Sequence, residues 1–359
     1  MKRLGVAVIG AGVGLEHVAA YRQLDSLYEV VALVDPAPER RALGEKLFPV
    51  PVVDGGLEAV LDRDDVDVVD LCTPPHLHFE MIRQALAAGK HVVCEKPLVG
   101  SLAECDAVAA LAAEARGRLM PIFQYRFGHG LQKLLHLRDA GITGRCFLAT
   151  IETAWNRGPD YYAVEWRGRW KTERGGALLS HAIHNHDILC YVLGPVRSVF
   201  ARTATRVNPI ETEDCASAAL EMVDGSLATL SVTLGSRVEI SRLRFCFEGL
   251  TAESSLNPYG PGAEPWSFHA ADESAAKRID EALAGFVPEP EHYAGQLARF
   301  HRAIEEDGPL PVGIDDARAS LELVTAMYGS ARSGEVVALP LDATSPGYES
   351  WLPPEGRSP

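Results

Sequence analysis

The order strand, glycine turn, helix, strand, acid fills the first 35 residues and narrows the possible folds more than any other feature. Leu4-Gly5-Val6-Ala7-Val8-Ile9 is a short apolar run ending in Gly10-Ala11-Gly12-Val13-Gly14. A helix-like segment follows over about 15–23, and a second apolar run over 30–34 ends in Asp35. Glycines let a backbone turn tightly and approach a pyrophosphate. The helix that follows directs its N–H groups and positive dipole end at the anion. An acid after the second strand accepts hydrogen bonds from a ribose diol. Gly10, Ala11, Gly12, Val13, Gly14 and Asp35 are therefore the expected dinucleotide contacts.

Two departures matter. The usual third glycine would fall at Leu15, whereas Gly14 comes one residue early. That predicts a shorter turn and a less close approach of helix to strand. Asp35 also lies 25 positions after Gly10, against a usual spacing of about 20.

Apolar runs over 66–71, 91–94 and 119–123 continue the pattern, separated by helical segments. Ser101-Leu102-Ala103-Glu104 reads as a capping box opening a helix. Alternating strands and helices predict a doubly wound parallel sheet, a Rossmann domain over 1–123. Pro121 cannot donate to a ladder and suits an edge strand. The fifth run, His91-Val92-Val93-Cys94-Glu95-Lys96-Pro97, is the most telling. Pro97 pushes Lys96 into extended backbone, and holds its ammonium at a strand terminus, where open α/β sheets place ligands. Thr73 and Pro74, after the fourth run, would wall one side of a cofactor.

Composition excludes several classes. A net charge of −15 disfavours nucleic acid and anionic membrane as partners. Seven cysteines, an odd number with no CxxC pair, read as reduced thiols in a cytoplasm. No apolar run approaches the roughly 18 residues of a membrane span, and the N-terminal run is too short for a signal segment.

From about residue 124 the pattern becomes that of an α+β domain with a mostly antiparallel open sheet, over 124–340, followed by a tail over 341–359. Runs over 216–223 and 226–233 flank Asp224-Gly225, a tight-turn signal. The stretch 250–287 reads as loop-rich. The chemically dense segment runs from Gly175 to Asp187 and holds His181, His184 and His186. Read as one helix, it places Ser180, His184 and Asp187 on one face. Histidine is the natural general base near neutrality. No cysteine or second carboxylate pattern joins these histidines, so no metal site is read. Upstream, Trp155, Arg157, Tyr161, Tyr162, Trp166, Arg167, Arg169 and Trp170 suit sugar rings or anionic groups, or else core packing.

Together these residues resemble the glucose–fructose oxidoreductase / inositol dehydrogenase / MocA family over nearly the whole chain. The most specific marks are Glu95-Lys96-Pro97, Thr73-Pro74, Tyr125-Arg126-Phe127, Trp166-Arg167 and His184-x-x-Asp187. The resemblance implies that Lys96 orients a substrate hydroxyl and His184 accepts its proton. It places Glu95, Lys96 and Gln124 by the nicotinamide, assigns His78, Trp166 and Arg167 to the cofactor, and implies a cis Pro97. Arg126, Trp155, Arg157, Ser180 and Asp187 are the expected substrate contacts beside Lys96 and His184. Many sugar and cyclitol dehydrogenases carry an aspartate where this chain has Ser180, and a serine cannot supply that charge. The implied activity is NAD-dependent oxidation of a sugar or cyclitol alcohol, with NADP left open by Arg40 and Arg41. The alternatives are an NAD-dependent glycosidase of the same fold and a dinucleotide-binding regulator without turnover. A homodimer or homotetramer is the implied assembly.

Overall fold

The computed structural model describes residues 3–353. The chain divides into two compact units: residues through Phe123 with Tyr293–Ala317, and Gln124–His292 with the residues from Arg318 on. The segment Tyr293–Ala317 thus joins the first unit, although the sequence reading places it within 124–340.

In the first unit β1 (Leu4–Ile9), α1 (Gly14–Gln23), β2 (Tyr28–Val34), α2 (Pro38–Leu47), β3 (Val52–Val53), β4 (Val68–Leu71), α3 (His78–Ala87), β5 (His91–Cys94), α4 (Leu102–Glu114) and β6 (Leu119–Pro121) alternate. The sheet runs β3-β2-β1-β4-β5-β6 with every pairing parallel. β1 and β4 are buried along their whole length. A parallel sheet covered on both faces needs such unbroken apolar runs. β3 escapes the sequence reading because two residues carry no period. The order reverses between β1 and β4, which opens a crevice at their C-terminal ends.

β6 is the edge, as Pro121 predicts. Its open backbone groups are covered by Gln296, which accepts from Phe123 N–H at 3.1 Å and donates to the Pro121 carbonyl at 2.7 Å. The predicted cap of α4 is also present. Ser101 Oγ accepts from Glu104 N–H at 3.1 Å, and the Glu104 carboxylate accepts from Gly100 N–H at 2.8 Å.

The second unit contains α5 (His129–Asp139), β7 (Cys146–Asn156), the short helices α6 (Pro159–Tyr162) and α7 (Trp170–Glu173), α8 (Ile183–Leu193), β8 (Val196–Ala204), β9 (Cys215–Met222), β10 (Leu227–Thr233), β11 (Gly235–Phe247), β12 (Leu250–Glu253), β13 (Ser267–Ala270) and α9 (Glu273–Ala284). The late elements of the chain are α10 (His292–Glu305), α11 (Ile314–Ser333) and β14 (Val337–Ala338). An eight-stranded sheet runs β13-β12-β11-β7-β10-β9-β8-β14, antiparallel except for β7 against β10. The Asp224-Gly225 turn joins β9 to β10, with Gly225 at φ +87°.

Two expectations need correction here. The stretch 250–287 is not loop-rich, since it forms β12, β13 and α9. Its strands have only four residues each, too few for alternation to stand out. Nor is the run after 340 a loose tail within the described residues. Trp351 is fully buried and donates from Nε1 to the Arg174 carbonyl at 2.7 Å.

Candidate active site

The glycine turn is built for close approach. Gly10 sits at φ +102°, and a Cβ there would lie 2.6 Å from the Cys72 carbonyl oxygen, so only glycine fits. A Cβ on Gly14, the first residue of α1, would lie 2.8 Å from Val8 Cγ1 and 3.3 Å from Cys72 Cβ. The early third glycine therefore does bring helix and strand close, contrary to the sequence expectation, because α1 itself starts one residue early. Gly12 differs. A Cβ there would meet only Arg40 Nη1, at 3.6 Å, so the fold alone does not demand glycine. Gly12 and Val13 are exposed and no side chain caps α1, which leaves a bare helix start facing outward. Room at Gly12 and an uncapped N-terminus fit a pyrophosphate.

Asp35 is buried at the end of β2. Its Oδ2 accepts from Ala11 N–H and its Oδ1 from Ala37 N–H, both at 2.8 Å. These bonds fix the carboxylate beside the turn and leave acceptor capacity for a ribose diol. Arg40 Nη1 stands 3.8 Å from Asp35 Oδ2 on a half-exposed side chain, and Arg41 donates to the Asp35 carbonyl at 2.8 Å. The bare turn and the held acid suit a dinucleotide.

At the ends of β4 and β5, Thr73, Pro74 and Lys96 are half-buried. The Lys96–Pro97 peptide is cis, as the resemblance implies. His78 is fully buried, with Nδ1 at 2.9 Å from the Pro97 carbonyl and Nε2 at 2.9 Å from that of Thr73. Burial lowers its pKa, so it is a neutral ring carrying one proton between two carbonyls. It braces the two loops rather than facing outward. Glu95 also turns inward. Its Oε1 faces His17 Nε2 at 3.1 Å and accepts from Tyr293 OH at 3.0 Å, while Oε2 accepts from Lys96 N–H at 3.0 Å. These two expected cofactor contacts therefore act within the fold, on the backbone around Lys96.

In the second unit, the segment Gly175 to Asp187 is not one α-helix. Residues Ala177–His181 form a π turn, closed by Ala182 N–H to the Ala177 carbonyl at 2.9 Å, and α8 begins only at Ile183. The cause lies at its entry, where Glu213 gathers the backbone. Gly176 N–H donates to Oε2 at 3.1 Å, Leu178 N–H to Oε1 at 3.0 Å, and Tyr328 OH to Oε1 at 2.9 Å. Hence His184 and Asp187 share a face, while half-buried Ser180 stands off it on the preceding turn.

The turn Gln124–Phe127 frames this helix. Tyr125 stacks on His184 with ring centroids 4.4 Å apart and planes 29° apart. Arg126 pairs with Asp187 and lies over the Tyr191 ring at 4.2 Å. Both members of that pair, expected as substrate contacts, face each other in the interior. Gln124 is buried beside them in sequence. His186 is fully buried, and burial alone pushes it down to about 3, which leaves it neutral and no proton acceptor at working pH.

Aromatic and basic side chains gather next to the π turn. His181 lies edge-on to Trp155 at 5.6 Å and beside Tyr161 at 5.4 Å. The Arg157 guanidinium sits over Trp155, Tyr161 and Tyr259, and donates to Glu239 at 2.7 Å. Arg167 covers Tyr161 at 3.9 Å and Trp166 at 5.3 Å. So Trp155, Arg157, Trp166 and Arg167 form one cluster with His181. Sequence reasoning missed Tyr259 and Glu239, about 100 and 80 residues downstream, because no local pattern links them to it.

A parallel dinucleotide fold joined to an α+β sheet domain bearing a histidine helix defines a class of nicotinamide-dependent oxidoreductases. Residues 4–123 match the family description "Oxidoreductase family, NAD-binding Rossmann fold", and residues 131–251 match "GFO/IDH/MocA C-terminal domain". The chain belongs to the Gfo/Idh/MocA family and is an NAD-binding oxidoreductase. It is 29% identical over 251 residues to an uncharacterized oxidoreductase of a Synechocystis species, covering 64% of this chain and 65% of that one. It is 26% identical over 358 residues to the D-glucoside 3-dehydrogenase of Escherichia coli, covering 94% and 97%. Among solved structures, the WlbA dehydrogenase of Bordetella pertussis in complex with NADH and UDP-GlcNAcA superposes with a TM-score of 0.83 at 26% identity, covering 95% and 100%.

Proposed function

We propose that this protein oxidises a secondary alcohol of a sugar, sugar derivative or cyclitol, with NAD as the preferred cofactor. Bound NAD supplies the hydride acceptor. Gly10 to Gly14 and Asp35 hold its pyrophosphate and ribose, and Thr73, Pro74 and Lys96 border the nicotinamide. Lys96 orients the substrate oxygen, and His184 takes the hydroxyl proton. The observation that carries this reading is the setting of His184. Its ring rests on Tyr125, and the Arg126–Asp187 pair anchors its helix one turn on. The adjoining cluster of Trp155, Tyr161, Tyr259 and Arg157 offers flat faces for a sugar ring and donors for its hydroxyls.

NAD is preferred because the Asp35 carboxylate repels a 2′-phosphate; Arg40, at the same edge, moderates that preference. Self-association is proposed for the open face of the second sheet. Leu148 and Leu227 pair across it, and Phe200 lies on the same face; all three are exposed. A cytoplasmic site suits seven free cysteines, and among the described residues no helix is long and apolar enough to cross a membrane. The test is reduction of NAD in a panel of sugars, glycosides and cyclitols. Release of sugar from a glycoside with no net reduction would identify the glycosidase reading instead, and binding of NAD with no turnover the regulator.

A further inference from the structure

Below the glycine turn lies a buried charge cluster that the reaction scheme above does not use. His17, on α1, is fully buried, as is Asp70 in β4. His17 Nδ1 is 2.8 Å from Asp70 Oδ2, and its Nε2 is 3.1 Å from Glu95 Oε1. Tyr293 of α10 packs on the imidazole, with centroids 4.3 Å apart. Cys72 Sγ lies 3.5 Å from Asp70 Oδ1. His17, Asp70 and Cys72 offer ligand-type atoms within 4.8 Å of one another. Since the imidazole nitrogen already faces a carboxylate oxygen at hydrogen-bonding distance, we read a hydrogen-bonded cluster and not a metal centre.

Donor counting sets the protonation. The Glu95 carboxylate takes Lys96 N–H on Oε2, and Tyr293 OH together with His17 on Oε1. A backbone N–H can only donate, and three donors call for an ionised acceptor. Asp70 takes His17 on one oxygen and the Cys72 thiol on the other. Burial holds that thiol protonated, with its pKa pushed far up. With both carboxylates ionised, both ring nitrogens of His17 must carry protons. Burial on its own would lower the imidazole pKa, but the Asp70 carboxylate outweighs it and the pKa stands well above the usual value. The other titratable groups around the two carboxylates, Tyr21, Tyr28 and His78, are neutral in this setting.

We propose that His17 is a positioning residue: a buried imidazolium that locks the Glu95 carboxylate and, through it, the backbone of Lys96 at the end of β5. The imidazolium ties the helix after β1 to the ends of β4 and β5, which border the crevice where the strand order reverses. Without its charge, Asp70 and Glu95 are two buried carboxylates with no cation between them. One then takes up a proton, and the Glu95 acceptors that hold Lys96 are lost. The proposal rests on the assignment of Lys96 to the substrate hydroxyl.

The deciding measurement needs neither substrate nor cofactor. In the full-length protein labelled with ¹⁵N-histidine, long-range proton–nitrogen spectra should show His17 protonated on both nitrogens from about pH 6 to about pH 9, past the ordinary histidine range. A neutral His17 within that range overturns the proposal. In His17→Gln, kcat should fall at least about tenfold while the dissociation constant for NADH, read by fluorescence titration, stays within about threefold. Equal losses in kcat and NADH affinity would mark a merely structural role and also overturn it. Absence of turnover on every alcohol would strike the proposed function, whereas the nitrogen spectra of the wild type decide this one.

Discussion

Arg126 grips Asp187 through two parallel hydrogen bonds, Nε to Oδ2 at 2.6 Å and Nη2 to Oδ1 at 2.5 Å, with both side chains almost wholly buried. Fork-to-carboxylate pairing of this kind fixes orientation as well as distance. It sets the rotation of α8 against the Gln124–Phe127 turn, and so the plane that His184 presents to Tyr125.

Removing one member of this pair leaves a buried charge uncompensated. Arg126→Ala should lower the free energy of unfolding by about 3–5 kcal/mol. Arg126→Lys should recover only part of it, because an ammonium cannot bond both oxygens. Urea denaturation measures both. A loss under about 1 kcal/mol for Arg126→Ala would show that the pair does not hold the helix.

Cofactor choice follows from Asp35. Asp35→Ser removes the charge that opposes a 2′-phosphate and leaves Arg40 beside the site. The ratio of kcat/KM for NADP to that for NAD should rise at least about tenfold. An unchanged ratio would place the discrimination elsewhere.

Glu213 gives the second unit a pH signature. Burial raises its pKa from 4.5 to about 7, even though Leu178 N–H, Tyr328 OH and Gly176 N–H favour the ionised form. Between those values the folded chain keeps a proton that the unfolded chain releases. Stability should therefore fall as pH rises from about 4.5 to about 7, by about 3 kcal/mol from this group, and level off above. Glu213→Gln cannot ionise and should lose this slope, whatever its absolute stability. Urea midpoints taken across the window for both proteins test it, and an equal slope in the variant would refute it.

Much of the first unit is legible in the sequence because its signals are local. A glycine turn, an acid after the second strand, and a lysine locked by Pro97 all lie within short windows, and the parallel sheet shows as unbroken apolar runs. What hides is long-range. Glu95 reads as a cofactor contact until His17 and Tyr293, 78 and 198 residues away, are seen to claim its carboxylate. Arg126 and Asp187 read as two polar residues near a site until they meet across 61 positions. Ser180 was misplaced on the face of His184 because spacing alone cannot reveal a π turn, which Glu213 imposes from 35 residues downstream. His17 gives one faint local sign, a titratable side chain on the buried side of a helix.

The central claim is that Lys96 and His184 act chemically while the rest of the protein holds the cofactor. The most direct measurement follows reduced nicotinamide during single turnovers of NAD with an accepted sugar alcohol, in the wild type, Lys96→Ala and His184→Ala, with NADH affinity measured in parallel. Each variant should lose about 10²–10⁴-fold in the rate of the chemical step, with NADH binding within a few-fold of wild type. Full-rate turnover in either variant would contradict the account.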